Sequence, residues 1–273
     1  MKQPTWNHER RNRNVGTAKS GHGRSNRLVI PGSWNGTRVY WQDLNNAIRF
    51  ELNGFTFLVE PCTNGFAHSV TVDDVTRVLR LLPHDDVARI RFIALRQPTK
   101  KQRLLSLAWG RLAYFADYGG MRGPAIAIDS QRINGVSKHP KSMSPDENEE
   151  LDRLQQDGHI VTPGRRSWSV ESSPDAVRRT QLFRTLPHEV GHYVQYDREV
   201  RLAAAGDLAE ECRLRDLHFT KPTLDSEQFA HRYAREFGER MKLAGSFPFA
   251  PIVNRFHMKQ HGLDPAWFGL SPL

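Results

Sequence analysis

Hydrophobic and polar residues alternate over two short stretches near residue 50, the period expected of β-strands with one buried face. The stretches cover residues 49–52 and 55–59 and are joined by Asn53-Gly54. This dipeptide is typical of the tight two-residue turn that links antiparallel strands. The pattern therefore predicts a β-hairpin.

A helix is predicted after the hairpin. Thr71 is a suitable N-cap, and Asp74, three residues later, can complete a capping box. Pro83 is predicted to end the helix. The apolar stripe of this helix consists of Val75, Val78, Leu79 and Leu82.

Further along the chain, strand-like stretches come first and helical stretches later. The strand-like stretches are residues 88–95, 112–115 and 125–129, with a turn-rich segment at 119–124 between the last two. The helical stretches begin at Ser173-Pro174 and continue at residues 186–196 and 229–241. This order favours an α+β fold, with a small mixed sheet followed by helices, over alternating βαβ units.

Residues 133–172 form a long polar stretch that predicts an irregular surface insertion. One helix is expected within it, capped by Ser144, opened by Pro145, stabilised by Glu147 in a capping box and ended by Gly158. The sequence leaves open whether the insertion is a lid over a cleft.

The charge of the chain is concentrated at one end. Residues 1–30 carry seven basic residues and one acidic residue, a net charge of +6 out of +9 for all 273 residues. Their polar, glycine-containing composition predicts a disordered basic tail, which either improves solubility or contacts nucleic acid phosphates. Residues 31–273 are predicted to form the folded domain.

The remaining composition predicts a cytoplasmic protein with no membrane partner. The chain has no apolar run of the roughly 20 residues that a membrane span needs, and its N-terminus lacks the apolar stretch of a signal peptide. Cys62 and Cys212 are the two cysteines, too few for a disulfide scaffold.

The strongest candidate for chemistry is the sequence His188-Glu189-Val190-Gly191-His192. On a helix, residues four apart lie on one face about 5–6 Å apart, so the two imidazoles can bind one zinc ion. Glu189 is then beside the metal, where it can act as general base toward a water molecule. A half-buried helix that carries two histidines by chance would show the same periodicity.

A catalytic zinc ion needs a third protein ligand, and the second candidate helix offers two. Glu227 and His231 share a face of this helix, next to the small residues Ala230 and Ala234, which would allow close helix packing. Glu227 is the candidate third ligand and His231 a support for a ligand through a hydrogen bond, although His231 could be the ligand instead. The core side of this helix is assigned to Phe229, Tyr233 and Phe237.

These two motifs resemble those of the gluzincin metallopeptidases, in which a His-Glu-x-x-His helix is paired with a glutamate on a second helix. The second motif is similar to the Glu-x-x-Ala-Asn-x-Phe-Ala pattern of bacterial regulatory metallopeptidases that process repressors. Glu227, Ala230 and Ala234 match it, Tyr233 stands in place of Phe, and His231 departs from it. The resemblance implies a zincin-like fold, a zinc cofactor and a peptide or protein substrate.

The resemblance also implies an edge strand that holds an extended substrate above the metal. Ala125, Ile126, Ala127 and Ile128 are the candidate substrate-binding residues, with a plain core strand as an equal alternative.

The resulting hypothesis is a zinc-dependent peptidase that uses Glu189 as base and forms no covalent intermediate. Two alternatives have different chemistry. One is a nucleic-acid-associated module that uses the basic tail, and the other is a silent peptide-binding platform with a structural metal site or none.

Overall fold

The structure is a computed structural model that describes residues 44 and 46–271, except 64, 101–102, 104–107 and 119, with the backbone alone at 145–146. The predicted basic tail at residues 1–30 lies outside the described residues. Within the described part, no helix is both long and apolar enough to cross a membrane.

The fold is a mixed α+β fold built on a five-stranded mixed sheet. The strand order is β1-β2-β4-β6-β5, with β2, β4 and β6 parallel and β1 and β5 antiparallel to their neighbours. The strands are β1 (Ile48–Leu52), β2 (Phe55–Val59), β4 (Phe92–Arg96), β5 (Gly110–Tyr118) and β6 (Met121–Asp129). A separate pair consists of β3 (Phe66–Ala67) and β7 (Gln131–Arg132).

The predicted hairpin is confirmed as β1 and β2, with Leu52 opposite Phe55. Asn53 and Gly54 both have positive φ angles, 52° and 83°, as this tight turn requires. The other predicted strands are confirmed with different bounds. Residues 84–87 form a short helix, α2 (His84–Val87), so β4 begins at Phe92 rather than at residue 88.

The helix predicted after the hairpin is confirmed as α1 (Val72–Leu81). Thr71 Oγ1 accepts a hydrogen bond of 3.0 Å from the Asp74 backbone N–H, and Asp74 Oδ2 accepts one of 3.2 Å from Thr71 N–H. Asp74 also receives a hydrogen bond of 2.7 Å from Nη2 of Arg178, a buried ion pair that ties α1 to the C-terminal helices.

The prediction that residues 133–172 are irregular is wrong. The segment forms a three-stranded antiparallel sheet and one helix, which together have a small core of Leu151, Leu154 and Val170. Trp168 and Val170 of β10 alternate with polar residues, but β8 has polar residues on both faces, so hydrophobic periodicity does not reveal the sheet. The predicted helix and its capping box, with Ser144 and Glu147, are confirmed. The elements are β8 (Gly135–Pro140), α3 (Pro145–Gln156), β9 (Ile160–Pro163) and β10 (Ser167–Ser172).

The C-terminal half is helical, as predicted. A continuous helix begins after the Ser173 cap and includes two π-helical stretches. Its segments are α4 (Pro174–Arg179), Thr180–Thr185, α5 (Leu186–Tyr196) and Asp197–Leu202; α6 (Leu208–Thr220), α7 (Thr223–Leu243) and α8 (Arg255–Gln260) follow, and then a 3₁₀ turn, Pro265–Phe268.

The main core lies between the sheet and these helices. Alternate residues of the strands, such as Ile93 and Ile126, are fully buried against Leu182, Leu186 and Val190 of the continuous helix. Leu186, Val190 and Val194 thus form the buried apolar stripe of α5. Burying that stripe leaves the opposite side of α5 free to line a cleft.

Helices α5 and α7 pack in antiparallel directions at very short distance. A Cβ atom added to Gly191 would lie 3.1 Å from the Ala230 Cα and 3.1 Å from the Tyr233 Cβ. At the next contact along the pair, a Cβ atom added to Gly238 of α7 would meet the Phe183 carbonyl oxygen at 3.9 Å, an ordinary contact distance. The packing is therefore tighter at Gly191 than at Gly238.

This difference predicts opposite effects for two glycine substitutions in helices. Gly238→Ala should raise the free energy of unfolding by roughly 0.5–1 kcal/mol, because alanine favours helix and has room there. Gly191→Ala should lower it by about 1 kcal/mol despite the same gain in propensity, because the helices must separate. Thermal unfolding in the presence of a chelator measures both; equal stabilisation by the two changes would contradict the close contact.

Candidate metal site

Two histidines lie on the side of α5 that faces away from the core. Leu186 and Val190 on the opposite side are completely buried, which fixes the rotation of the helix. The side chains of His188 and His192 are 13% and 12% exposed. One turn of helix separates them, so both imidazoles reach the same region from one rigid element.

The imidazoles meet the carboxylate of Glu227 from α7. His188 Nε2 lies 3.0 Å from His192 Nε2 and 3.3 Å from Glu227 Oε2, and His192 Nε2 lies 3.6 Å from Glu227 Oε1. Ligands at about 2.0–2.1 Å from a tetrahedral zinc ion are separated by about 3.3–3.4 Å. The three groups therefore have the chemistry and the spacing that a zinc ion requires.

His231, the alternative third ligand, lies at the same place. One ligand atom from each of His188, Glu227 and His231 can be chosen so that all lie within 4.8 Å of one another. The ring of His231 packs on that of His188 with centroids 4.5 Å apart, and Glu227 reaches both histidines of α5. Glu227 thus contacts both histidines of α5, and His231 is a further group that could hold a metal ion.

Two histidines at the site, His192 and His231, are neutral at neutral pH because their pKa values are lowered. Burial, together with the smaller effect of the neighbouring His188, lowers the pKa of His192 and of His231 to about 4. Neutral imidazole is the form that binds a metal ion, because the ring nitrogen must offer a lone pair.

The orientation of His192 is fixed by a second residue of α7. Ser226 Oγ lies 3.0 Å from His192 Nδ1. With the proton on Nδ1, the ring donates a hydrogen bond to Ser226, and the lone pair of Nε2 points into the cluster. His188 Nδ1 is buried and makes no hydrogen bond within the described residues, so ring packing and the contacts of Nε2 hold that imidazole.

Glu189 is buried beside the cluster and is fixed by the sheet. Its Oε2 accepts a hydrogen bond of 2.7 Å from the backbone N–H of Leu112 in β5. Burial raises the pKa of Glu189, and the interaction with His188 opposes this shift. The carboxylate thus lies in a low-dielectric place with a fixed orientation, as a general base needs.

The site opens into a cleft of about 1380 Å³, larger than most small-molecule pockets. His188, Glu189, Glu227 and His231 line it, and helix α3 of the insertion forms part of its wall. Arg184, one turn before His188, connects the two parts: its guanidinium group binds Glu150 of α3 at 2.8 Å and Asp157 at 2.9 Å.

The prediction of a substrate-binding edge strand at Ala125, Ile126, Ala127 and Ile128 is wrong. Strand β6 is internal, paired with β4 on one side and with β5 on the other, and these four residues are at most 2% exposed. Their backbone groups are used by the sheet and cannot bind a peptide. The edge strand on this side of the sheet is β5, whose first residue, Gly110, borders the cleft together with Trp109.

Several contributors to the site were not predicted from the sequence. Gly191 carried a signal, since a glycine within a helix that faces small residues marks close packing. Ser226 and the Leu112 backbone N–H carried none, because their roles depend on tertiary contacts. The insertion helix could not be assigned to the cleft wall from its capping box alone.

Comparisons with known proteins give no relative: no family model, no curated protein and no solved structure matches the chain.

The hydrogen bond to His192 leads to a prediction for metal affinity. Ser226→Ala should weaken zinc binding by roughly 10-fold or more, because the imidazole loses the partner that orients it. Competition with a chromogenic chelator measures the affinity, and the exposed Ser142→Ala is the control. Unchanged affinity in Ser226→Ala would show that His192 is oriented by other means.

Proposed function

We propose that the protein is a zinc-dependent hydrolase that cleaves peptide bonds. The observation that carries this proposal is the convergence of His188, His192 and Glu227 at 3.0–3.6 Å beside the buried Glu189. A nitrogen-nitrogen-oxygen ligand set with a carboxylate base next to it, in an open cleft, is the composition of a hydrolytic zinc site.

In this proposal, His188, His192 and Glu227 hold the zinc ion. Zinc, when bound, lowers the pKa of a coordinated water molecule to about 7 and polarises the carbonyl group of the peptide bond. Glu189 accepts a proton from the attacking water and transfers it to the amine nitrogen of the leaving group. No side chain forms a covalent bond with the substrate.

The end of edge strand β5 offers a place for the substrate backbone. Trp109 and Gly110 border the cleft, and the backbone N–H of the nearby Leu112 donates a hydrogen bond to Glu189. An extended peptide beside Gly110 would pass the metal cluster and the base. This relation of edge strand, metal helix and glutamate helix supports a zincin-like arrangement and the likeness to gluzincins.

Glu189 also supports hydrolysis over a silent peptide-binding platform. Burying a carboxylate is costly, and a platform with a structural metal ion needs no base beside it. The nucleic-acid alternative depends on residues 1–30, which lie outside the described residues.

Removing the base while keeping its shape tests the mechanism. Glu189→Gln should bind about one zinc ion per chain, as wild type does, yet lose roughly 100-fold or more of its cleavage rate, because the amide accepts no proton. Zinc is measured by mass spectrometry, and cleavage by counting new N-termini in a denatured protein mixture.

The matched control is Glu236→Gln, an exposed glutamate of α7 that does not line the cleft. This variant should keep its cleavage activity. Glu189→Gln protein that cleaves at the wild-type rate would exclude the proposed role of Glu189.

A further inference from the structure

The cleft continues beyond the metal cluster along α7. Glu227, His231, Arg235 and Lys242 all line it. Their spacing keeps them near one face of the helix, and fifteen residues of helix extend over about 22 Å. The cleft is therefore long enough to hold several residues of an extended chain.

The wall opposite α7 is formed by the helix that carries the histidines, and it extends equally far from the metal cluster. Gly191 is near Ala230, and Phe183 is near Gly238, which gives the antiparallel register of the two helices. In this register, Arg179 is level with Lys242, and both side chains are exposed and line the cleft. The far end of the cleft is thus positively charged from both walls.

Three acidic residues of the nearby wall are paired with other basic residues, and a fourth, Glu147, accepts a hydrogen bond from the N–H of Ser144, which caps α3. Arg153 binds Glu149 and Glu150, and Arg184 binds Glu150 and Asp157. Among the described residues, no carboxylate oxygen lies within 4.0 Å of a side-chain nitrogen of Arg179, Arg235 or Lys242. This stretch of α7 offers one acidic lining residue, Glu239, against three basic ones that include Arg232.

We infer that this arm of the cleft, defined by Arg179, Arg235 and Lys242, binds an acidic segment of an extended polypeptide substrate. The inference rests on the proposed peptidase function and names its substrate class. Arg235 is one helical turn, about 6 Å, from His231, and Arg179 is nine residues, about 14 Å, from His188. At about 3.3 Å per residue, the acidic side chains lie about two and four residues from the cleaved bond, on one side of it.

A peptide-binding experiment tests this charge preference without turnover. Immobilised Glu189→Gln protein is incubated with a library of random 12-residue peptides, and the retained peptides are sequenced. Asp and Glu should be enriched roughly 5- to 10-fold over the input library, as expected for three exposed ion pairs. The enrichment should fall when salt is raised to about 0.5 M, because salt screens exposed charges.

Two triple variants in the same background locate the effect. Arg179→Glu, Arg235→Glu and Lys242→Glu combined should abolish the enrichment. Arg80→Glu, Lys138→Glu and Lys259→Glu combined change the net charge equally at exposed positions outside the cleft lining, and should keep it. Both variants keep the basic N-terminal segment, so attraction of acidic peptides by that segment would be the same in the two. Absence of enrichment, or equal enrichment on both variants, would overturn the inference.

Zinc content and cleavage by the protein with Glu189 intact separate this inference from the proposed function. The protein could bind no zinc and cleave nothing, yet still enrich acidic peptides through the three cleft cations. That result would support binding of an acidic ligand and refute the peptidase function. Zinc-dependent cleavage without a preference for acidic residues near the cleaved bonds would support the peptidase function and refute the acidic substrate.

Discussion

The candidate site depends on the close antiparallel packing of α5 and α7. Gly191 leaves room for the Ala230 backbone and the Tyr233 side chain, so the axes approach closely enough for Glu227 to reach both histidines. A larger residue at this contact would move the carboxylate away from the imidazoles while leaving both helices intact. Packing of small residues in the core therefore determines the geometry of polar groups at the surface of the cleft.

The sheet provides the second constraint. Glu189 is next to His188 in sequence, yet its carboxylate is held by Leu112 N–H of edge strand β5. The same strand borders the cleft at Gly110. A single strand thus orients the candidate base and offers a surface for the peptide backbone, which links the fold directly to the proposed chemistry.

Local sequence signals predicted the local structure well. The Asn53-Gly54 turn, the capping box at Thr71 and the bounds of α5 are all confirmed, because each depends on residues close together in the chain. Strand order depends on pairing between distant segments, so the sequence could not show that residues 125–128 are internal. The insertion was missed as a sheet because the apolar alternation of Trp168 and Val170 in β10 is short and β8 is mostly polar.

For the site, too, local features were predicted and features that depend on distant segments were not. The spacing of His188 and His192 predicted a shared helix face. The approach of Glu227 to both histidines depends on a contact between helices, which the sequence indicated only through its small residues. The cationic arm of the cleft could not be predicted, because it combines residues from two helices whose register is a tertiary property.

The most direct test of the metal site is zinc content by mass spectrometry of protein purified without added metal, for wild type, Glu227→Ala and His231→Ala. The account predicts about one zinc ion per chain in wild type and in His231→Ala, and its loss in Glu227→Ala; wild-type protein without zinc, even after reconstitution, would contradict it.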